Sequence, residues 1–327
     1  MHWTPSRPFQ ALALTGGGYR GLFTARALQV LEEHLGEPIG TRFDIVAGTS
    51  IGGIVALAVA FEVPMAKVVA TFESRGSDIF PSDPLSRTKQ FFSKWSRPKY
   101  RSEVLRDVID ELLPASLTLR EAKHPVAVPA VNVTQARPQV FKSRHHENWI
   151  RDLKLSVQSV ALATSAAPTF FSLAEVDGHL YADGGLFANA PDLIAIHEAE
   201  TFFGVGMDAM RVLSIGTTTQ SYSLSFANGR EYGIAKWMRQ NRLFSITISA
   251  QQQFIEQIAK HRLGDRYLRI DEEPSAEQAQ DLGLDIATPA AARTLTALGA
   301  KAATDAFGPS MQAILQHEPQ LQVLRDM

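Results

Sequence analysis

A serine stands between two glycines in the segment FDIVAGTSIGGIVALAVAF, residues 43–61, where an apolar strand-like stretch meets an apolar helix-like one. The pattern G-x-S-x-G between a strand and a helix is typical of a nucleophile elbow, a sharp turn that exposes the serine hydroxyl. Gly48 and Gly52 have no Cβ, so the strand and the helix can approach each other closely. We predict that Ser50 is a nucleophile; the alternative is an ordinary tight turn.

A second glycine-rich segment, GGGYRG at residues 16–21, also follows a strand-like stretch and precedes a helix-like one. Acyl transfer needs N–H donors aimed at the position where negative charge develops. Successive glycines at such a turn expose backbone N–H groups, and the following helix adds the positive end of its dipole. We predict that Gly16, Gly17 and Gly18 form an oxyanion hole, and that Arg20 steadies the loop or contacts an anionic head group.

The same glycines spell G-x-G-x-x-G, so a dinucleotide-binding loop is an alternative interpretation. That pattern is weak when it stands alone, and it requires an acidic residue about 20 positions further on, at the end of the second strand. The candidate, Asp44, begins its strand, and that strand leads into Ser50. We therefore favour the oxyanion hole.

A serine nucleophile also needs a base that accepts its proton. The chain has nine histidines, and none after position 200 lies in a recognisable loop motif. A general esterase or thioesterase with a Ser–His–acid triad would have to use His261 or His317, and this class of enzyme remains an alternative.

Asp183 is a better candidate for the base, because it ends a strand-like stretch and precedes Gly184 and Gly185, which leave room for another backbone or a substrate. A carboxylate in a partly desolvated pocket becomes a stronger base, so it can activate a serine without imidazole. We predict a Ser50–Asp183 pair; the alternative for Asp-Gly-Gly is a plain turn.

The elements that must position these residues alternate between strand and helix, as in an α/β domain. No linker rich in proline, glycine or serine separates two halves, so we predict one domain over residues 1–327. Strands are predicted at 9–15, 43–47, 126–134, 139–143, 179–182, 211–216 and 267–270, and helices at 22–35, 51–61, 64–74, 155–163, 245–260 and 289–306.

The segment 76–114 differs in character, and we predict that it is an insertion over the core and a candidate lid. Between Arg87 and Arg106 it carries seven lysines or arginines against one acid, interleaved with four aromatic residues. Such a surface suits anionic lipid, or the phosphates and bases of a cyclic dinucleotide. The alternative is a solvated segment whose rings pack on the core.

Composition excludes several classes of function. A formal net charge of −2 gives no overall attraction for a nucleic acid polymer, and the absence of cysteine excludes disulfides, thiol nucleophiles and cysteine-based zinc sites. We predict no metal site. The longest apolar stretch, 51–61, is about half of the roughly 20 residues that span a bilayer, and the N-terminus lacks the apolar run of a signal peptide, so we expect only peripheral membrane contact.

Three blocks in this order, GGGYRG at 16–21, GTSIG at 48–52 and DGG at 183–185, resemble the patatin-like phospholipase family. Two further stretches match that family as well, SAAPTFF at 165–171 and DGGLFANAP at 183–191. The joint pattern covers about the first two thirds of the chain.

This resemblance implies a three-layer α/β fold, with a mostly parallel central sheet and helices on both faces. It also implies a Ser50–Asp183 dyad, an oxyanion hole from Gly16 to Gly18, and hydrolysis of acyl esters in membrane phospholipids. The residues that support the motifs in this sequence are Arg20, Gly21, Gly48, Gly52, Gly184, Gly185 and Asn189.

The opening FQALALTGGGYRGLFTARALQVLEE, residues 9–33, and the overall length are similar to one bacterial branch of the family, the phospholipases of anti-phage CBASS systems. This resemblance implies a cytoplasmic enzyme that needs no cofactor for its chemistry. It also makes a homo-oligomer one candidate for the assembly. The resemblance also implies that a cyclic dinucleotide such as cyclic GMP-AMP switches the enzyme on, and that it then degrades the cell membrane from its inner face. An alternative outside the enzymes is a non-catalytic module that senses a nucleotide through its glycine loop.

Overall fold

Eight strands form one sheet in the computed structural model, which describes residues 8–81, 97–218, 223–238 and 242–320. The order across the sheet is β5-β6-β3-β2-β1-β7-β8, and β4 pairs with β3. Neighbours from β3 to β8 along this order run parallel, whereas the pairs that involve β4, β5 or β6 are antiparallel. The bounds are β1 (Phe9–Leu14), β2 (Ile45–Gly48), β3 (Val126–Asn132), β4 (Arg137–Lys142), β5 (Ala174–Val176), β6 (His179–Asp183), β7 (Met210–Ile215) and β8 (Tyr267–Ile270).

Helices cover both faces of this sheet. Their bounds in the described ranges are α1 (Gly21–Leu35), α2 (Ile51–Ala60), α3 (Met65–Ile79), α4 (Ser102–Leu112), α5 (Val157–Thr164), α6 (Gly185–Ala188), α7 (Asp192–Phe202), α8 (Ile234–Met238), α9 (Arg242–Leu263), α10 (Gln278–Asp281), α11 (Pro289–Asp305) and α12 (Pro309–Leu315). None of these helices combines the length and the apolar character needed to cross a bilayer.

The side chains of β1 show how the three layers form. All six residues are buried, as expected for a parallel strand that is covered on both faces. Leu12 and Leu14 point into a large core that contains α1 to α5, α11 and α12, whereas Ala11 and Ala13 point into a smaller core under α7 and α9. The predicted three-layer α/β fold is therefore confirmed, and α7 is a helix that the sequence pattern did not predict.

Two strands meet end to end along one edge of β3. Ala127 pairs with Ala47 of β2 on one side and with β4 on the other, while Ala130 pairs with Asp183 of β6 and again with β4. β2 and β6 therefore share the edge of β3 opposite β4. β2 is parallel to β3 and β6 is antiparallel, so their carboxyl ends point toward each other at the level of Pro129.

Both ends of the range 76–114, which we predicted to be an insertion and a candidate lid, pack into the core. Ile79 and Phe80 belong to the large core, and α4 contributes its apolar face to the same core, where it packs against α3 and α5. The middle of the range, 82–96, which holds most of the predicted basic and aromatic cluster, lies outside the described residues. A lid formed by that middle part stays a prediction.

If α4 is a core element, truncating its buried face must cost stability. We expect Ile109→Ala to lower the free energy of unfolding by about 2–4 kcal/mol, because this side chain is fully buried and its removal leaves a cavity. The measurement is denaturant unfolding, with Asp107→Ala at an exposed position of the same helix as the control. Equal stability of the two variants would contradict the assignment of α4 to the core.

Candidate active site

Ser50 occupies the turn between β2 and α2 in a strained backbone conformation. Its φ is +55° and its ψ is −127°, a region that non-glycine residues rarely adopt and that is typical of a nucleophile elbow. A Cβ at Gly48 would overlap the carbonyl oxygen of Gly52, and a Cβ at Gly52 would overlap the carbonyl oxygen of Leu14. The two glycines therefore allow the close approach of strand and helix that the turn requires.

The structure brings Ser50 and Asp183 into direct contact, although 133 positions separate them. Ser50 Oγ donates a hydrogen bond of 2.7 Å to Asp183 Oδ2, and the backbone N–H of Gly185 donates one of 2.7 Å to Oδ1. Each carboxylate oxygen thus has one donor, which fixes the plane of the carboxylate with one oxygen toward the serine.

Burial raises the pKa of Asp183 to about 6, and the hydrogen bonds from Ser50 and Gly185 counteract only part of this effect. Only 3% of the residue is exposed, and none of the groups that shift its pKa is a cation. A carboxylate without a cationic partner in such a site is a stronger base than one in water.

Thr164, at the end of α5, binds residues at the carboxyl ends of both β2 and β6. The sequence analysis did not identify this residue. Its hydroxyl donates a hydrogen bond of 2.6 Å to the carbonyl of Pro129 and accepts one of 3.0 Å from the backbone N–H of Ser50. Its own carbonyl accepts 3.3 Å from the N–H of Gly184. Nothing in the apolar sequence of α5 marks this threonine, because its role arises from where β2, β3 and β6 meet.

Asn189 and Arg20 hold two successive peptide groups of the glycine loop. Asn189 Nδ2 donates 3.1 Å to the carbonyl of Gly16, and Arg20 Nε donates 3.4 Å to the carbonyl of Gly17. In a trans peptide the N–H points opposite to the C=O. The N–H groups of Gly17 and Gly18 therefore point away from Asn189 and Arg20 respectively.

The structure narrows the predicted set of oxyanion donors. The N–H of Gly16 already donates 2.9 Å to the carbonyl of Asn189, so it is not available to a substrate. In the described part of the chain, the N–H groups of Gly17 and Gly18 have no hydrogen-bond acceptor. Both glycines line the same cavity as Ser50 and Asp183.

Arg20 lies under the loop and not in the cavity. A second hydrogen bond, 3.3 Å from its Nη1 to the carbonyl of Thr218, ties it to the segment after β7. Burial lowers its pKa, against the opposing effect of Asp271. Of the two roles predicted for Arg20, the structure supports the one of steadying the loop.

The cavity above Ser50 is narrow and apolar. Its volume is about 70 Å³, well below the roughly 300–1,000 Å³ of typical small-molecule sites. Ser50, Ser165, Asp183 and Asn189 supply its polar side chains. Its apolar walls come from α2, α3, α4, the 165–171 segment, α9 and the segment before α11, with Ile54, Phe80, Leu105, Phe170, Phe171, Phe244, Ile248 and Leu284 among them.

The residues of the alternative sites lie elsewhere. His317 Nε2 bonds Asp44 Oδ2 at 2.8 Å, and Asp44 lies before the start of β2, whereas Ser50 follows its end. His261 is exposed at the end of α9. Neither histidine lines the Ser50 cavity, and Asp44 is buried and is not open to a ribose. In the described ranges, no group of three His, Asp or Glu side chains is placed to hold a metal ion.

A serine at a strained strand-to-helix turn, a buried carboxylate and a glycine loop surround one apolar cavity on a three-layer α/β fold. The family model for patatin-like phospholipases matches residues 12–196 of this chain, a range that contains all three features. The chain therefore belongs to the patatin-like phospholipase family, and it is a hydrolase that acts on carboxylic ester bonds.

Three relatives match over nearly their whole length. The chain is 41% identical over 313 residues to a cGAMP-activated phospholipase of Pseudomonas aeruginosa (strain BWHPSA011 / Pa011), with 95% of this chain and 92% of that protein covered. It is 33% identical over 334 residues to the protein of the same name from Escherichia coli (strain TW11681), covering 93% and 91%. The corresponding protein of Vibrio cholerae is 32% identical over 322 residues, with 90% of each chain covered.

The raised pKa of Asp183 predicts that this residue destabilises the fold at neutral pH. Between about pH 4 and 6, the native carboxyl keeps a proton that the unfolded chain has lost, so the free energy of unfolding falls as the pH rises. We expect Asp183→Asn, which cannot ionise, to be more stable than the wild type at pH 7 by up to about 3 kcal/mol, and the difference to vanish toward pH 4.

Thermal unfolding between pH 4 and 7 measures this difference. Asp265→Asn, at an exposed position, is the control and should unfold like the wild type throughout. An Asp183→Asn protein that is less stable than the wild type at pH 7 would show that the ionised Asp183 carboxylate does not lower the free energy of unfolding.

Proposed function

We propose that this chain hydrolyses acyl esters of membrane phospholipids with Ser50 as nucleophile and Asp183 as base. The observation that carries the proposal is the 2.7 Å hydrogen bond from Ser50 Oγ to a buried carboxylate inside an apolar cavity. No imidazole of the described residues lines this cavity, which supports the carboxylate as the group that accepts the proton of the serine.

The reaction proceeds as acyl transfer. As Asp183 takes the proton of Ser50, Oγ attacks the carbonyl carbon of the ester, and the tetrahedral intermediate then expels the lysolipid alkoxide, which takes the proton from Asp183. Asp183 next removes a proton from water, whose oxygen attacks the acyl-enzyme. The fatty acid leaves as Ser50 recovers its hydrogen.

The N–H groups of Gly17 and Gly18 stabilise the negative charge in both intermediates. The hydrogen bonds from Asn189 and Arg20 hold these two peptides before substrate arrives, so their dipoles need little rearrangement during the reaction. Asn189 and Arg20 act in this proposal as positioning residues, and they do not touch the reacting atoms.

A lipid surface fits the environment of the cavity. α9 contributes Phe244 and Ile248 to the cavity wall, and α8 packs against α9. Large apolar side chains are exposed on these two helices and in the segment that precedes them in the chain: Phe226, Ile234, Met238 and Leu243. A group of exposed apolar residues beside an acyl-binding cavity suits insertion into the boundary between head groups and acyl chains.

A cyclic dinucleotide activator is the second part of the proposal. It rests on the name shared by the three relatives, which are cGAMP-activated phospholipases, and on their match over at least 90% of this chain. The catalytic cavity, at about 70 Å³, is smaller than an acyl chain, and in this proposal the activator widens it. The anti-phage role and the action at the inner face of the membrane stay predictions.

Substitution of the dyad separates this proposal from a Ser–His–acid triad. We expect Ser50→Ala and Asp183→Ala each to lose at least about 1,000-fold in cGAMP-stimulated release of fatty acid from phospholipid vesicles, since each removes a group that touches the reacting atoms. The control is Ser310→Ala, which removes an exposed serine hydroxyl. Fatty acid release by a folded Ser50→Ala protein would refute the assignment.

The histidine variants complete that comparison. His261→Gln should hydrolyse lipid like the wild type, and His317→Gln should lose stability through its contact with Asp44 but keep its activity per folded molecule. Loss of activity in either folded variant would favour the triad.

The pH dependence follows from the state that the base must have. Asp183 accepts a proton only when it is ionised, so kcat/KM should rise about tenfold per pH unit up to its pKa of about 6 and level off above it. Hydrolysis of a short-chain chromogenic ester measures this profile, and His261→Gln should give the same midpoint. A midpoint near the ordinary carboxyl value of 3.8 would show that the base is not desolvated during catalysis.

A further inference from the structure

A second, larger cavity lies behind the Asp-Gly-Gly segment, and the proposed mechanism does not use it. Its volume is about 940 Å³, near the upper end of the range of about 300–1,000 Å³ for small-molecule sites. We call it the back cavity; it is open to solvent, β4, the following segment, α6, α7 and α9 line it, and its lining includes Arg137, Lys142, Trp149, Arg151, Phe187 and Phe254.

We propose that the back cavity is the binding site of the cyclic dinucleotide activator. This inference rests on the proposed function, which supplies the class of ligand, but the site itself follows from the charges, the rings and the hydrogen bonds around the cavity. A cyclic dinucleotide has two phosphates joined in a ring and two flat bases, so its site needs cations and aromatic faces in one cavity.

The cations come from β4 and the segment after it. Arg137 has an exposed side chain without an ion-pair partner in the described residues, and Arg151 pairs only with its neighbour Asp152 and is 60% exposed. Lys142 is already paired with Glu198 at 2.6 Å. Arg137 and Arg151 are therefore the two side chains with guanidinium groups available to phosphate oxygens, which arginine binds in a bidentate manner.

The aromatic faces come from the opposite walls. Phe254 lies in the middle of α9, yet it is 63% exposed, and Phe187 lies at the edge of the Asp-Gly-Gly segment. An aromatic ring that lines a cavity without being covered by the protein can stack on a base. Gln139 and Asn148 add polar groups for the base edges.

One face of α9 covers both cavities. Phe244 and Ile248 contact the catalytic cavity, and Gln251 and Ile255 contact the back cavity. These positions follow the i, i+4, i+7, i+11 spacing of a single helix face. A ligand that shifts α9 from the back cavity therefore also shifts the wall through which an acyl chain must enter.

Hydrogen bonds give a second connection between the cavities. Gln251 Oε1 accepts 2.8 Å from the N–H of Asn189, and the carbonyl of Asn189 accepts 2.9 Å from the N–H of Gly16. Asn189 also holds the peptide that presents the N–H of Gly17. Binding against Gln251 is thus transmitted through two contacts to the oxyanion loop.

The described part of the predicted basic segment fits this role less well. Lys99 is paired with Asp285, and Tyr100 donates 2.7 Å to the same carboxylate while its ring packs against Phe80 and Phe170. The charge of Lys99 is therefore paired with a carboxylate, and the ring of Tyr100 is packed against two residues that line the catalytic cavity, so neither is available to a nucleotide.

Calorimetric titration with cyclic GMP-AMP tests the site directly. We expect the full chain to bind, and Arg137→Gln, Arg151→Gln and Phe254→Ala each to raise Kd about tenfold, because each removes a contact with a phosphate or a base. All three side chains are exposed, so these variants should fold. Arg293→Gln, an exposed arginine on α11, is the matched control and should bind like the wild type.

Ester hydrolysis measured on the same samples separates this inference from the catalytic one. Ser50→Ala should bind cyclic GMP-AMP normally while losing hydrolysis. Unchanged affinity in all three cavity variants would overturn the back cavity as the site and leave the dyad standing. A wild-type chain that hydrolyses a short-chain ester but does not bind cyclic GMP-AMP would overturn the activator as well as its site.

Discussion

The carboxyl ends of β2 and β6 point at each other along one edge of β3, and the candidate active site exists because of this arrangement. β3 is long enough to pair with β2 through its first residues and with β6 through its last. The gap between the two strand ends lies at Pro129, whose carbonyl binds Thr164. A hydroxyl just beyond one strand end and a carboxylate at the other must therefore be neighbours, however much chain lies between them.

The same gap explains why the carboxylate is an unusual one. Glu198 is also buried, but hydrogen bonds with His145 and Lys142 outweigh the effect of burial and lower its pKa. Asp183 has a neutral hydroxyl and a backbone N–H as partners, so burial prevails and its pKa rises. Two buried carboxylates in one chain thus have opposite character: Glu198 serves as a structural ion-pair partner, and Asp183 retains the basicity that the proposed reaction needs.

Sequence patterns predicted those parts of the site that depend on local backbone geometry. Gly48 and Gly52 are required wherever a strand turns into a helix this tightly, so the elbow can be read from five consecutive residues. Thr164 and Gln251 cannot be found in this way, because an apolar helix and a polar helix give them no distinctive neighbours. Their roles arise only from contacts between elements that are distant along the chain.

The sequence analysis also did not predict α4 as a core helix, and the reason is physical. The basic and aromatic composition of 87–106 dominates the range 76–114, and it hides the apolar residues 105, 108, 109 and 112, which have the spacing of one buried helix face. The periodicity of the apolar residues, applied first, would have assigned α4 to the core.

In the proposed mechanism, the basicity of Asp183 depends on the exclusion of water from the cavity, and the substrate itself affects that exclusion. The pKa of Asp183 is raised because water is excluded, so opening the cavity to water would lower this pKa toward 3.8 and weaken the base. An acyl chain that enters from a lipid surface displaces that water and restores the apolar surroundings of the carboxylate. In this proposal, movement of α9 alone would give an open but weakly basic site, and full activity would require the activator and the lipid together.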